Sequence, residues 1–294
     1  MSGQPTIALG RGTPESPIAS ATVLMLRDGP TGLEVFLLER HGLSDVLGGA
    51  YVFPGGKLDA SDAGLVDRLD QLQSQLQQAL GEAGLDGRDA AALYVAAIRE
   101  VFEEAGVLFA QLPDAARLDE LLALRAAGAS FAQVLDAAGA PLDSASLAPW
   151  SRWITPRRSM MARKHFDARF FVAPVPAGQQ PRHDEHETTR SVWLSPRQAL
   201  CDFWEGRLSF APPQIMSLSQ LARFPDVAAV MAHARSRAPV RIQPEVIAED
   251  GVNKVCYPGD PQHSIALRAM PGPTRLCWRN ERYEPEGGVE ALFD

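Results

Sequence analysis

The sequence predicts an α+β fold in which a mixed sheet carries helices on both faces. Two observations point there. Strand-like runs open the chain, at ATVLML (21–26) and LEVFLLE (33–39), and helical spacing then dominates the middle before strands and helices return from residue 151 onward. Strands do not alternate one for one with helices, so a regular parallel strand–helix–strand array is not expected. The 294 residues are 46% hydrophobic and 22% charged, values of a globular chain that buries a core of ordinary size.

Taken in order, residues 1–17 are rich in Gly, Pro and Ser and read as a loose arm. RDGPTG (27–32) is turn chemistry, so the first two strands form an antiparallel hairpin. A short run, AYVF (50–53), stops at Pro54-Gly55-Gly56. Leucines 65, 69, 72, 76 and 80 recur at helical intervals and predict a helix over 65–80, broken by Gly81, Gly84 and Gly87. A second helix is expected from about Asp89 to Ala105, with Gly106 as its terminating residue. Residues 114–137 predict one or two more helices, and 141–149 a loop. Further strands are expected at 151–155, 169–175 and 188–194. Ser195-Pro196 has the N-cap and first-turn chemistry of a helix start. Helices follow from Pro212-Pro213 and over 226–236, and short strands with Pro/Gly turns fill 240–294.

Composition excludes several functions. Lys and Arg number 28 against 36 Asp and Glu, a net charge of −8, so no nucleic-acid partner is expected. Three cysteines, Cys201, Cys256 and Cys277, with no CxxC pair, indicate neither a disulfide framework nor a thiolate zinc site. The apolar run IASATVLML (18–26) is far too short to span a membrane. The opening MSGQPTIALGRG lacks a basic segment followed by an apolar run. A cytoplasmic chain without a membrane partner is the expectation.

The sharpest local feature is Arg99-Glu100-Val101-Phe102-Glu103-Glu104-Ala105-Gly106. At about 100° per residue, Glu100, Glu103 and Glu104 share an arc of about 100°, while Tyr94, Ile98, Val101, Phe102 and Ala105 form the opposite, buried face. Glu100 and Glu104 are like charges at i,i+4, and all three acids lie where the helix dipole is already negative. A charged outer face is the plain alternative. A hard divalent cation, Mg²⁺ or Mn²⁺, resolves the repulsion, because it takes clustered carboxylate oxygens. Gly55-Gly56-Lys57-Leu58-Asp59 follows a strand, and its glycines allow close approach of the backbone to a ligand.

Together these pieces resemble the Nudix box, GX5EX7REUXEEXGU, where U is a bulky aliphatic residue. REVFEEAGV (99–107) matches the second half in full, and GGKLDASD (55–62) the first. Arg99 lies 43 positions beyond Gly56 rather than 14, so about 29 residues (about 63–91) interrupt the box, and Asp62 stands at its first Glu position. A split box of this kind is similar to that of the peroxisomal coenzyme A diphosphatases, as are WSRWITP (150–156), FDARFF (166–171) and ETTRSVWLSPRQAL (187–200). The resemblance implies a Nudix-type α/β/α sandwich over 18–215, with 216–294 as a C-terminal extension on the same domain. It implies that Glu100, Glu103, Glu104 and the Gly56 carbonyl hold Mg²⁺ or Mn²⁺. Gly55, Asp62, Arg99 and Gly106 become structural residues of the box. Glu103 or Glu187 is the general base, with Glu185 second to Glu187.

Six cations against one acid in residues 152–169 read as an anion cradle, since arginine forks match phosphate oxygens. Arg157, Arg158 and Arg169 are its candidate substrate-binding residues. Trp150, Trp153 and Phe166 are placed to stack on a base. HDEHE (183–187) reads as a polar loop or a transition-metal pair, His183 and His186. The expected function is metal-dependent cleavage of the P–O–P bond of a small-molecule diphosphate, foremost coenzyme A or acyl-coenzyme A. ADP-ribose, dinucleotide or oxidised-nucleotide hydrolysis is the alternative within the superfamily, and a non-catalytic nucleotide-binding module the alternative outside it. A homodimer is the default assembly.

Overall fold

The computed structural model describes residues 17–41, 49–156, 164–184 and 188–294. The expected hairpin forms from β1 (Ile18–Gly29) and β2 (Gly32–Arg40), closing with Gly29 opposite Gly32. β1 is apolar on both sides because both sides are covered. Ala21, Val23 and Met25 join one core cluster, and Leu24 and Leu26 the other. β3 (Tyr51–Val52) pairs with β2, and β4 (Gly55–Lys57) pairs antiparallel with the start of β1.

Four helices follow, α1 (Gln73–Leu80), α2 (Gly87–Ala105), α3 (Ala115–Ala126) and α4 (Phe131–Ala138). Next come β5 (Ala148–Ile154), β6 (Phe166–Pro174) and β7 (Thr188–Leu194). α5 (Pro196–Trp204), α6 (Pro212–Leu221) and α7 (Val227–Arg235) lead to β8 (Val240–Ile242). The main sheet runs β3-β2-β1-β6-β5-β8, with β4 also on β1 and β7 also on β2. β1 with β6 and β5 with β8 are parallel, and the other pairs antiparallel, so the sheet is mixed.

One face of this sheet is covered by α2, whose stretch Ala90–Ile98 is apolar all round and therefore buried all round. Tyr94 packs on Phe171 with ring centres 4.7 Å apart, and Phe102 meets Phe131 of α4 at 6.0 Å. Asp86 caps the helix start through the Asp89 N–H, and Gly106 ends it at φ 65°. The opposite face packs against α5, α6 and α7 and against a second, antiparallel sheet. That sheet contains β9 (Glu245–Glu249), β10 (Val252–Cys256), β11 (Arg275–Arg279) and β12 (Arg282–Pro285). The boundary expected between 215 and 216 falls inside α6.

The long helix expected over 65–80 is shorter than its leucine spacing. Only Gln73–Leu80 is α-helical, preceded by single 3₁₀ turns at Asp62–Gly64 and Val66–Arg68. Tertiary pairing competes for the backbone of 68–70. Leu142 N–H donates to the Arg68 carbonyl, Asp70 N–H donates to the Leu142 carbonyl, and the Asp70 carboxylate accepts from Ser144 N–H and Oγ. Leu72, one of the five leucines, is 69% exposed.

Glu82, just after α1, fastens this segment to the sheet. Its carboxylate accepts from Arg169 Nε and Nη2 at 2.9 and 2.6 Å and lies 2.8 Å from an Arg152 nitrogen. Asp167 binds Arg152 on its other side at 2.7 and 2.6 Å. Arg169, expected to hold substrate, is here paired with Glu82 and Asp167. Alternation along β6 turns it toward Glu82, and its side chain is only 7% exposed within a closed ion network.

Candidate active site

β4 and the C-terminal turns of α2 meet at two glycines. A Cβ on Gly55 would lie 2.4 Å from the Ala21 carbonyl oxygen, inside the backbone of β1. A Cβ on Gly56 would lie 2.5 Å from the Glu100 carboxylate. The missing side chains let the strand run directly against the acidic end of the helix, and Gly55 N–H donates to Glu104 at 2.9 Å.

Arg99 organises the acids. Its Nε and Nη2 donate to Asp62 at 2.8 and 3.0 Å, and Nη2 also donates to the Lys57 carbonyl at 2.9 Å. Nη1 donates to Glu100 at 2.8 Å and to Glu103 at 3.1 Å. Burial works against the charged guanidinium, but Asp62 and Glu100 outweigh it and hold its pKa above the ordinary arginine value. Burial also pushes the Glu100 carboxyl above the usual carboxylate range, against the pull of Arg99. The like charges on this helix end are thus shared between one arginine and one strand amide.

Among the described residues, no group of three or more His, Cys, Asp or Glu side chains is arranged to enclose a metal ion. Glu100 and Glu103 point to Arg99, and Glu104 reaches Gly55. In chemistry, three carboxylates beside a backbone carbonyl are an all-oxygen donor set, which suits a hard divalent cation.

This acidic corner is one end of a cleft of about 990 Å³. The central sheet contributes Ser20, Thr22, Trp153, Phe166, Ala168 and Phe170 to its wall. Trp153 and Phe166 therefore face the same space as Glu100 and Glu104. Trp150 does not line it, being buried against Phe224 and His233. Arg157, Arg158, Glu185, His186 and Glu187 lie outside the described residues. Of the HDEHE segment, His183 Nδ1 lies 3.3 Å from Ser191 Oγ, and Asp184 accepts from Thr188 N–H and Oγ1.

The cleft also holds residues that sequence reasoning did not select. Arg40 closes β2 on this wall with its Nε buried and unpartnered among the described residues, and Lys57 and Lys164 bring further positive charge. A cation closing β2, separated by Glu39 from its apolar run, was the available signal for Arg40. Phe210, Trp278 and Tyr283 line the far side. They are brought there by long-range packing, and no local pattern marks them.

A family model described as the NUDT19 Nudix domain matches residues 72–221. The acyl-coenzyme A diphosphatase NUDT19 of Xenopus laevis is 27% identical over 228 residues, 65% of this chain and 60% of that protein. Its namesake in Gallus gallus is 28% identical over 240 residues, 67% of this chain and 63% of that protein. The chain thus spans less than two thirds of the length of these curated relatives. A crystal structure of a NUDIX hydrolase from Alicyclobacillus acidocaldarius is 26% identical, covering 76% of this chain and 97% of its own, with a TM-score of 0.59.

Proposed function

The chain belongs to the NUDT19-type Nudix family, and from that premise we propose that it is a metal-dependent diphosphatase acting on coenzyme A or acyl-coenzyme A. The products are 3′,5′-ADP and 4′-phosphopantetheine or its acyl form. One observation carries the reading. The acidic end of α2, locked by Arg99 against Gly55 and Gly56, opens into a cleft whose other walls supply aromatic rings and cations.

Glu100, Glu103, Glu104 and the Gly56 carbonyl would hold the cation, the class of cofactor that Nudix hydrolases generally use. When bound, it offsets the charge of the diphosphate and lowers the pKa of a bound water. To hold it, Glu100 and Glu103 would have to share their carboxylates with Arg99, which donates to both. Arg99 itself holds the helix against the Lys57–Asp62 segment through Asp62. Glu103, whose side chain is the most open of the three at 37% exposure, or Glu187, takes a proton from the attacking water. Arg40, Lys57 and Lys164 face the anionic part of the substrate, and Arg157 and Arg158 are kept as substrate-binding candidates on the sequence. Trp153 and Phe166 contact its uncharged part. A reducing compartment such as the cytoplasm suits three unpaired thiols.

The test is product analysis with Mg²⁺ or Mn²⁺ over coenzyme A, acetyl-coenzyme A, ADP-ribose, NADH, a diadenosine polyphosphate and an oxidised dGTP. Release of 3′,5′-ADP from the coenzyme A substrates, abolished by chelation and by Glu103→Gln in a folded variant, is the expected result. Turnover of another substrate alone moves the reading to that substrate. Full activity of Glu103→Gln removes Glu103 from the metal and base roles.

A further inference from the structure

The second sheet is amphipathic, and its apolar face closes the cleft. In register, Val246 pairs with Val255, Val255 with Leu276, and Trp278 with Tyr283. Successive strand residues point to opposite faces, so these side chains share one face of β9–β12. Val246, Val255, Trp278 and Tyr283 line the cleft, opposite Trp153 and Phe170 of the central sheet. The other face carries Lys254, Arg275 and Glu284, whose charges are paired within the sheet and its loops. All four strands lie beyond residue 221, where the family match ends.

This part of the cleft is built for an uncharged group. Of its two charged side chains, Arg282 is already committed to Glu284 at 2.7 Å and to the Phe203 carbonyl at 2.9 Å, and Glu281 is exposed to solvent. The rings pack tilted or edge to face rather than as parallel plates, and Trp153 meets Phe170 at 6.2 Å and 43°. Trp278 meets Tyr283 at 5.0 Å and 68°, and Phe53 meets Phe170 at 6.3 Å and 82°. A purine is gripped by flat faces, whereas an aliphatic chain fills an apolar slot of any ring orientation. The aliphatic arm is therefore the favoured occupant.

We propose that β9–β12 select the substrate's tail: Val246, Val255, Trp278 and Tyr283 take the uncharged acyl arm of a diphosphate whose charged centre lies at Glu100 and Glu104. This rests on the diphosphatase reading above. The full-length chain is assayed with acetyl-coenzyme A and dodecanoyl-coenzyme A, as wild type, Val246→Arg and Trp278→Ala. Val246 is half-buried on the edge strand of its sheet, so arginine is accommodated there even if Trp278→Ala fails to fold. The ratio of kcat/KM for the dodecanoyl over the acetyl ester is expected to fall about tenfold in Val246→Arg, since each buried methylene contributes strongly to binding. An unchanged ratio, or an equal loss on both esters, overturns the proposal. A second readout needs no turnover: calorimetric binding of n-decyl phosphate and n-butyl phosphate. Tighter decyl binding in the wild type that is lost in Val246→Arg supports the apolar wall even where no coenzyme A ester is hydrolysed. Equal wild-type affinity for the two chain lengths overturns it.

Discussion

Asp62 and Arg99, 37 residues apart, form a two-point ion pair of 2.8 and 3.0 Å in which the Asp62 side chain is wholly buried. The pair closes the segment that separates the two halves of the Nudix box, so Arg99 still meets the Lys57–Asp62 turn despite the insertion. Length added between two fixed ends costs little in chain entropy once those ends are held. Asp62→Ala leaves the Arg99 guanidinium buried without its principal partner. A loss of about 3–5 kcal/mol is expected, read as a lower urea midpoint. Asp62→Glu restores the box residue but adds a methylene to a closed site, and about 1–3 kcal/mol is lost.

The two glycines of β4 separate stability from activity. Gly55→Ala sets a methyl group against the Ala21 carbonyl and the Thr22 backbone, which cannot yield. A fall in melting temperature is expected. The nearest atoms to the methyl of Gly56→Ala are at the far end of the Glu100 side chain. Its melting temperature is expected to stay near the wild-type value, while kcat/KM falls at least about tenfold because Glu100 is displaced. Equal activity of Gly56→Ala and wild type would remove Glu100 from the site.

Glu82 has a structural task distant from the acidic corner. Glu82→Gln leaves Arg169 and Arg152 with Asp167 alone. An unfolding free-energy loss of about 3 kcal/mol is expected, as for other broken buried ion pairs. The kcat of the remaining folded protein should match the wild type. A normal urea midpoint would show that the insertion is held by its apolar contacts instead.

Asp260 supplies a pH signature in the second sheet. Burial by itself raises its pKa, but Arg275 at 2.7 and 2.6 Å, the Gln262 N–H and Thr274 Oγ1 outweigh it and hold the carboxyl below the ordinary range. A depressed folded-state pKa gives stability that is present above the unfolded value of about 3.9 and lost as pH falls through the folded value. Asp260→Asn should therefore be less stable than wild type by a constant amount between about pH 5 and 8. The gap should narrow below about pH 4, as measured by urea midpoints across pH.

Much of the site is local in the chain and was legible there. Arg99, Glu100, Glu103 and Glu104 share one helix, whose cap residues and apolar face set both its end and its orientation. Gly55 and Gly56 come soon after the short run AYVF and themselves form β4. The basic segment was a poorer guide. Charge counting could not see that Arg152 and Arg169 lie on the strand faces that meet Glu82 and Asp167. The leucine spacing of 65–80 was also outcompeted, because the backbone at 68–70 found hydrogen-bond partners at Leu142 and the Asp70 side chain at Ser144.

The sequence alone determined most of the element types, the hairpin, the acidic helix end with its glycine partner segment, and the family resemblance. These follow from periodicity, capping and turn chemistry, which act over a few residues. Only the tertiary structure decided which cations are spent in internal pairs, that Arg40 and Lys164 reach the cleft, and that β9–β12 close it. Those outcomes depend on contacts between residues far apart in the chain, as in Glu82 with Arg169, 87 positions apart, or Asp28 with the Val227 amide, 199 apart. Such contacts are selected by the joint burial of whole faces, which no local pattern encodes.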